Sequence, residues 1–312
     1  MHYYAIDLES FVFSGAWKYA RLTGEERKRA DNGTLVRHVE QLLELLRSCG
    51  VKLTFFAVGE IHDWYPDLLA AVRAEGHEIG WHTHRHTYLY RPGNIGGELA
   101  LSRDFIGAFG IRGFQAPAIV MNRADYPALA AAGIRYSASV YSALPPYEVD
   151  GVREVPVSTH PYGGREIPVR YPARMGFGML ARELPFGSSL FLKVLGWKWV
   201  SRLIRDAEKR GRSANLFVHN WQLFDEPRTA RMDRLWENFR NPLTIPYRFN
   251  VREEFTCLLK EHEFGRLDGA LGEAPAPPAP ERARPSGGGD ARQDGRDGRA
   301  ANREATCVRA CI

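Results

Sequence analysis

The sequence predicts an α/β chain built on a parallel sheet. Three observations lead there. Short apolar runs of strand length alternate with segments of helical period, the strand–helix–strand order continues through most of the chain, and carboxylates and histidines fall at the ends of the strand-like runs.

The elements follow in order. His2–Ile6 reads as a short buried strand that delivers Asp7 and Glu9 at its C-terminal end. Residues 10–31 are polar and aromatic without clear period and read as an excursion. From Thr34, the residues Leu35, Val39, Leu42, Leu43, Leu45 and Leu46 recur at helical spacing, with Gly50 as the stop. Lys52–Val58 is β-branched and aromatic, a second strand. Leu68, Leu69 and Val72 mark a helix ending at Gly76, and His77–Trp81 a third strand. Beyond these, 99–109 and 126–132 read as helical, 113–116 and 134–136 as extended, and 141–188 as irregular and rich in Gly and Pro. A single helix is expected over 190–209, a strand over 214–218 with His219 at its end, and a last helix over 252–262.

Composition narrows the classes. The 44% hydrophobic content suffices for a sizeable core, and the net charge is +5, with many of the arginines lying in the last forty residues among acidic ones. The body carries no basic stripe with interleaved aromatics, which argues against nucleic-acid binding. The four cysteines show no ligand-like pairing and favour a reducing compartment. No signal-like opening is evident and no run approaches ~18 uncharged apolar residues. The expectation is therefore a cytoplasmic protein without a spanning helix. Residues 273–312 shift to Ala, Pro, Gly, Arg and Asp, too poor in apolar side chains to repay ordering, and are expected to be a disordered tail behind a single domain at 1–272.

The stretch Gly76–His86 holds four of the chain's ten histidines. Alone, it reads equally as a metal site or as a His-rich loop. In parallel sheets, however, reactive groups gather at the C-terminal strand ends, where Asp7, Glu9, His82, His86 and His219 all fall. One carboxylate and two imidazoles make an open metal site, and a second carboxylate with a third histidine are available as base and acid for metal-assisted hydrolysis of an amide or ester. His77 is expected to be structural, and His84 to point away from its neighbours by alternation. Trp221 and Phe224 suit either an apolar wall or plain core, and Asp225 and Glu226 are expected in solvent. The helix with Trp197, Trp199 and Leu203 among basic residues is compatible with peripheral membrane contact or with ordinary packing.

An ordered set of segments resembles the polysaccharide deacetylases with a NodB-homology domain, carbohydrate esterase family 4. It comprises Asp7-Leu8-Glu9, Thr54-Phe55-Phe56, Gly76-His77-Glu78-Ile79-Gly80 with His82-x-x-x-His86, Gly113-Phe114-Gln115-Ala116-Pro117, Gly133-Ile134-Arg135-Tyr136, Glu154-Val155-Pro156, Glu183-Leu184-Pro185-Phe186 and Leu216-Phe217-Val218-His219-Asn220-Trp221. The likeness is to the exopolysaccharide-cluster type. It implies a distorted (β/α) barrel of about seven strands and a divalent-metal hydrolase, with zinc as the default ion, that removes N-acetyl groups from an amino sugar of a glycan or of a lipid- or nucleotide-linked precursor by attack of a metal-bound water. Carried over, Asp7 matches the base, Glu9, His82 and His86 the metal ligands, and His219 the acid for the leaving amine. Gln115, Pro117 and Trp221 match positions beside the ligands or substrate. Gln115 and Ser137 stand where the family has arginine and aspartate, which keeps open a catalytically impaired carbohydrate binder. An amidase acting on a non-sugar amide is the other alternative.

Overall fold

The computed structural model describes residues 1–13, 17–240 and 249–272. Its frame is a run of parallel strands: β1 (His2–Leu8), β2 (Thr54–Ala57), β3 (Glu78–Trp81), β4 (Gly113–Phe114), β5 (Tyr136–Ser137), β6 (Val152–Glu154) and β7 (Asn215–His219). They are hydrogen-bonded in the order β7-β1-β2-β3-β4-β5-β6, so the first strand lies between the second and the last. A hairpin strand, Tyr147–Val149, adds antiparallel to β6, and Phe264–Gly265 pairs with the first residues of β1.

The sheet curls. Beyond β6 the chain comes round to β7, where Asn215 Nδ2 donates to the Val155 carbonyl (2.9 Å) and Asn215 N to Ser158 Oγ (2.9 Å). The result is the expected distorted, incompletely closed (β/α) barrel.

Alternation along the strands separates two apolar clusters, one on each face. Tyr4, Ile6, Leu8, Phe55, Ala57, Ile79 and Trp81 pack outward with the helices. Tyr3, Ala5, Phe56, Tyr136, Ala138, Val155 and Phe217 form a smaller inner cluster. Asp7 continues the inward series Tyr3, Ala5, and His219 continues Phe217, so both reach the mouth from the inside of the barrel.

The outer layer holds α2 (Thr34–Cys49), α3 (Pro66–Ala74), α4 (Arg103–Phe109), α5 (Tyr126–Ala131) and α7 (Arg252–Glu261), all in expected stretches, but the one helix expected over 99–109 is two, Ile95–Leu101 and α4, meeting at Ser102. Ahead of them, α1 (Gly24–Asp31) corrects the reading of residues 10–31 as an excursion. It is started by a capping box in which Thr23 and Glu26 satisfy one another's backbone N–H groups. The single helix expected over 190–209 is two, Ser189–Leu195 and α6 (Trp197–Lys209), broken at Gly196. Helix Arg228–Arg240 was not expected. On α6, Val200 and Ile204 are buried, whereas Trp199 is 57% exposed beneath the Arg202 guanidinium. No described helix is long and apolar enough to cross a membrane. Cys49 and Cys257 are free thiols. The tail expected at 273–312, with Cys307 and Cys311, lies outside the described residues.

Close packing inside the barrel demands a missing side chain at Gly113. A Cβ there would fall well inside van der Waals contact of the buried Tyr136 ring. Gly113→Ala is expected to lower the unfolding free energy by about 1–3 kcal/mol in urea titrations. Gly107→Ala, in the interior of α4 with open space around it, is expected to gain about 0.5–1 kcal/mol.

Candidate active site

The site is laid out by strand register. Leu8 aligns with Ala57, Ala57 with Trp81 and Trp81 with Phe114, so the next residues, Glu9, Val58, His82 and Gln115, form one tier above the sheet. Ladder-type bonds continue into that tier, with Val58 N donating to Leu8 O (3.4 Å), His82 N to Ala57 O (3.0 Å) and Gln115 N to Trp81 O (3.0 Å). On the other side Asp7 aligns with His219. Three segments far apart in sequence thereby converge on one mouth.

Glu9 is the centre. Its Oε2 lies 2.7 Å from His86 Nε2, and its Oε1 accepts from Trp221 Nε1 (2.9 Å) and lies 3.4 Å from His219 Nε2. Its backbone N–H donates to Asn220 Oδ1 (3.0 Å). Burial would push the Glu9 carboxyl up, but the imidazoles of His86 and His219 hold it below its usual range.

Asp7 goes the other way. Burial and the neighbouring Glu9 charge raise its pKa well above the ordinary aspartate value. Its Oδ2 lies 3.7 Å from His219 Nε2, and its Oδ1 is buried without a hydrogen-bond partner. Two carboxylates two residues apart are thus driven in opposite directions by their surroundings, a pattern common where one group must stay charged and the other must exchange a proton.

The histidines are oriented by what their second nitrogen touches. His82 Nδ1 lies 2.8 Å from the Gln115 carbonyl, which can only accept, so Nδ1 carries the proton and Nε2 keeps a lone pair. Burial, with His86 nearby, pushes the His82 pKa down to about 3, so the ring is neutral and available as a ligand. His219 Nδ1 donates to Gln222 Oε1 (2.9 Å), turning Nε2 toward the carboxylates, and Trp221 stacks on its ring at 4.6 Å and 22°.

Ligand atoms of Glu9, His82 and His86 all lie within 4.8 Å of one another. One anionic oxygen and two imidazoles at this separation, one ring in the metal-ready tautomer, fit a divalent cation of zinc type. A second ligand-spaced group, His2, Glu208 and His262, does not fit. His2 Nδ1 accepts the Ala214 N–H (3.0 Å), so its proton sits on Nε2, pointing at Glu208 Oε1 (2.9 Å), and no lone pair is left to offer.

His82 and His86 come together by a different route from either alternation or a helical turn. Thr83 and His86 both adopt left-handed backbone, each with φ 57. Such conformations are unfavourable for non-glycine residues and are held here by surrounding bonds, including Thr87 N to Thr83 Oγ1 (3.0 Å) and the bonds from His84 N (2.7 Å) and Arg85 N (2.9 Å) to Glu98 Oε2.

The remaining expectations sort as follows. His77 is structural: its Nδ1 accepts from Leu53 N (3.1 Å). His84 faces away, with Nδ1 3.2 Å from Ser102 Oγ. Gln115 reaches the site through its carbonyl, while its side-chain amide is buried with neither polar atom partnered. Pro117 opens a buried 3-10 turn and brings no polar atom to the mouth. Ser137 Oγ bonds Ser139 Oγ (2.8 Å), which in turn accepts from Ala116 N (2.9 Å). Phe224 is core, 4% exposed, whereas Trp221 borders the carboxylates. Asp225 is exposed as expected, whereas Glu226, expected in solvent, is buried at 9% exposure. Asn220 and Gln222 were missed, although a Gln three residues after a strand-terminal His is a legible capping signal.

The comparisons agree with this picture. A family model described as polysaccharide deacetylase matches residues 30–104, the stretch that carries His82 and His86. Two Bacillus cereus proteins, each named peptidoglycan-N-acetylglucosamine deacetylase, are 36% identical over 93 residues (28% of this chain, 34% of the relative) and 31% identical over 84 residues (27% and 29%). The chain thus spans about a third of the length of the curated relatives it matches. A solved structure of a Mycobacterium smegmatis protein assigned as a polysaccharide deacetylase shares the fold, with a TM-score of 0.50 and 17% identity over 90% of this chain and 95% of that one. The solved structure and this chain thus share a fold, and residues 30–104 are similar in sequence to the polysaccharide deacetylase model.

The burial of Asp7 carries a stability cost with a defined sign. With its folded pKa raised above the unfolded value near ~4, the unfolded chain releases its proton first, so stability falls as pH rises from about 4 toward the folded pKa. In chelator-treated protein Asp7→Asn is expected to raise Tm at pH 7 by roughly 2–4 °C, the equivalent of about 1 kcal/mol for a domain of this size, and the gain should shrink as the pH is lowered to about 4.

Proposed function

We propose that the protein is a divalent-metal-dependent N-deacetylase acting on an acetylated amino sugar of a glycan, exopolysaccharide or glycan precursor. The convergence of Glu9, His82 and His86 between Asp7 and His219 carries the reading. Glu9, His82 and His86 would hold the ion, with zinc the first choice for this donor set. Such an ion, when bound, supplies a Lewis acid for an amide carbonyl and makes water more acidic.

The chain's own groups account for the proton traffic. Asp7, with an unpartnered buried oxygen and a pKa raised by burial and by Glu9, is a stronger base than an ordinary aspartate and is the group placed to take a proton from water. His219, with its Nδ1–H held by Gln222, points Nε2 at the carboxylates and, once that nitrogen too is protonated, can deliver the Nε2 proton to the departing nitrogen, which would otherwise leave as a poor amide anion. Trp221 fixes the plane of His219 by stacking and ties it to Glu9 by hydrogen bond, so ligand and acid share one support.

A second reading, a carbohydrate binder without turnover, is supported by the uncharged and unpartnered Gln115 amide where the family has an arginine. The two readings separate on acetate release. Purified protein supplied with zinc or cobalt should release acetate from N-acetylated oligosaccharides, lose that activity to a chelator and regain it on metal addition. Asp7→Asn should lower the rate by about 10²–10⁴ while retaining metal by elemental analysis. Retained metal and glycan binding without any acetate would favour the binder. On the deacetylase reading, kcat/KM should rise with pH on an acid limb lying above the ordinary aspartate range, because Asp7 acts only when deprotonated.

A further inference from the structure

Residues 190–199 hold seven apolar side chains and two lysines, with no acidic residue among them. A run of this composition ordinarily supplies a core. Here only Leu192 of the seven is buried, while Val194 is 64% exposed and Trp199 57%. The chain turns within the run. Gly196, in the positive-φ region (φ 74) that side chains rarely adopt, ends the helix Ser189–Leu195 and starts α6, so the two helices form an elbow. Val200 and Ile204 hold α6 to the barrel, which leaves Trp199 on the outer side.

The elbow lies at the mouth end of the barrel. Near the far end of α6, Glu208 Oε1 meets His2 Nε2 (2.9 Å) at the start of β1. With 13 residues α6 is roughly 20 Å long at ~1.5 Å per residue, so its first turn lies toward the strand ends. Two bonds tie it there: Lys193 Nζ donates to the Asn250 carbonyl (3.0 Å), and Asn250 Nδ2 to the Leu223 carbonyl (3.4 Å), in the turn that follows His219. Phe249, one residue before Asn250, is 48% exposed.

Charge says what would cover this surface. The ionised residues of 189–203 are Lys193, Lys198 and Arg202, all basic. Lys193 is answered by Glu254 (2.7 Å), whereas Lys198 and Arg202 are exposed, with their cations over the rings of Trp197 (5.6 Å) and Trp199 (5.0 Å). Tryptophan favours the boundary between water and hydrocarbon, and long basic side chains lay their stems on apolar surface while the cation reaches for phosphate oxygens. An anionic lipid surface attracts such cations, whereas a second copy of the chain would set like charge against like. No described helix is long and apolar enough to cross a membrane, so the contact is one that lies in the interface.

We propose that this elbow seats the protein on a bilayer containing anionic lipid, with Val194 and Trp199 entering the boundary between headgroups and acyl chains and Lys198 and Arg202 meeting the phosphates. The barrel mouth is then held close to the lipid surface. The docking concerns the elbow alone and is independent of whether the site turns over.

Sedimentation of the full chain with vesicles of phosphatidylcholine, with or without added phosphatidylglycerol, tests this in low and high salt. Anionic vesicles should bind the protein at least about tenfold more tightly than neutral ones, and the difference should be lost in high salt. Trp199→Ala should leave Tm unchanged, since the side chain is exposed, while weakening binding to anionic vesicles about tenfold. The double variant Lys198→Glu, Arg202→Glu should remove the preference for anionic lipid. Leu101→Ala, 45% exposed on the helix between β3 and β4, should behave as wild type. No binding to anionic vesicles, equal binding to both lipids, or binding unchanged in Trp199→Ala or in the double variant would each overturn the proposal. A dimer in light scattering that Trp199→Ala dissociates would also overturn it, assigning the elbow to a second copy of the chain.

Discussion

The parallel register about β1 is the constraint on which the rest depends. Because Asp7 aligns with His219 and Leu8 with Ala57, and through it with Trp81 and Phe114, the residues one step further must meet above the sheet whatever their identity. A slip of one residue in any of these pairings would turn an inward side chain outward. Asp7 would then leave the mouth for the helix-packed layer, and His82 would be replaced there by Trp81 or Thr83. The buried aromatic fill of both faces, Tyr4, Phe55 and Trp81 outside and Tyr3, Phe56 and Phe217 inside, makes such a slip costly. Packing and chemistry are therefore coupled: the same alternation that separates the two clusters selects which groups meet at the site.

That coupling explains why much of the site was legible in the sequence. A strand that ends in Asp-x-Glu, another that ends before His82 and a third that ends in His219 need only the parallel order to converge, and the order follows from alternating strand and helix patterns. The loop geometry was not legible. The left-handed backbone at Thr83 and His86 leaves no mark in residues that ordinarily avoid it, since it is held by Glu98 from outside the segment and by the Thr83 hydroxyl within it. Gln222 and Asn220 escaped notice because their role is to orient a histidine and a backbone N–H, which composition does not advertise. Glu226 was misplaced because an acidic residue in a polar stretch ordinarily stays in solvent, and its burial depends on the surrounding fold.

The site is a concentration of unfavourable local choices. A buried aspartate with an unpartnered oxygen, a buried glutamate, two non-glycine residues in left-handed backbone and an unpartnered glutamine amide gather at one end of the sheet. Each opposes folding when considered singly. They are tolerated because the surrounding sheet over-determines their positions, and because the charges partly answer one another: Glu9 is stabilised by His86 and His219 while its own charge raises Asp7. A divalent cation among Glu9, His82 and His86 would relieve the carboxylates further, lowering the cost of ionising Asp7 in the state where a base is needed.

Composition and distance alone would not have separated the two histidine–glutamate groups of this chain. Both have ligand atoms within 4.8 Å of one another, and each contains a buried histidine. The backbone decides between them. At His82 a carbonyl, Gln115 O, receives the ring proton and leaves the opposite nitrogen basic. At His2 an amide, Ala214 N–H, occupies the lone pair and forces the proton to the opposite nitrogen, where it meets Glu208. One arrangement prepares a ligand and the other completes an ordinary charge-assisted hydrogen bond. The fold makes this distinction through strand ends: the carbonyl belongs to the residue just past β4 at the C-terminal mouth, and the amide to the residue just before β7 at the opposite end. The polarity of a parallel sheet supplies spare carbonyls at one end and spare N–H groups at the other, so a histidine at the C-terminal end is the one made ready for a cation.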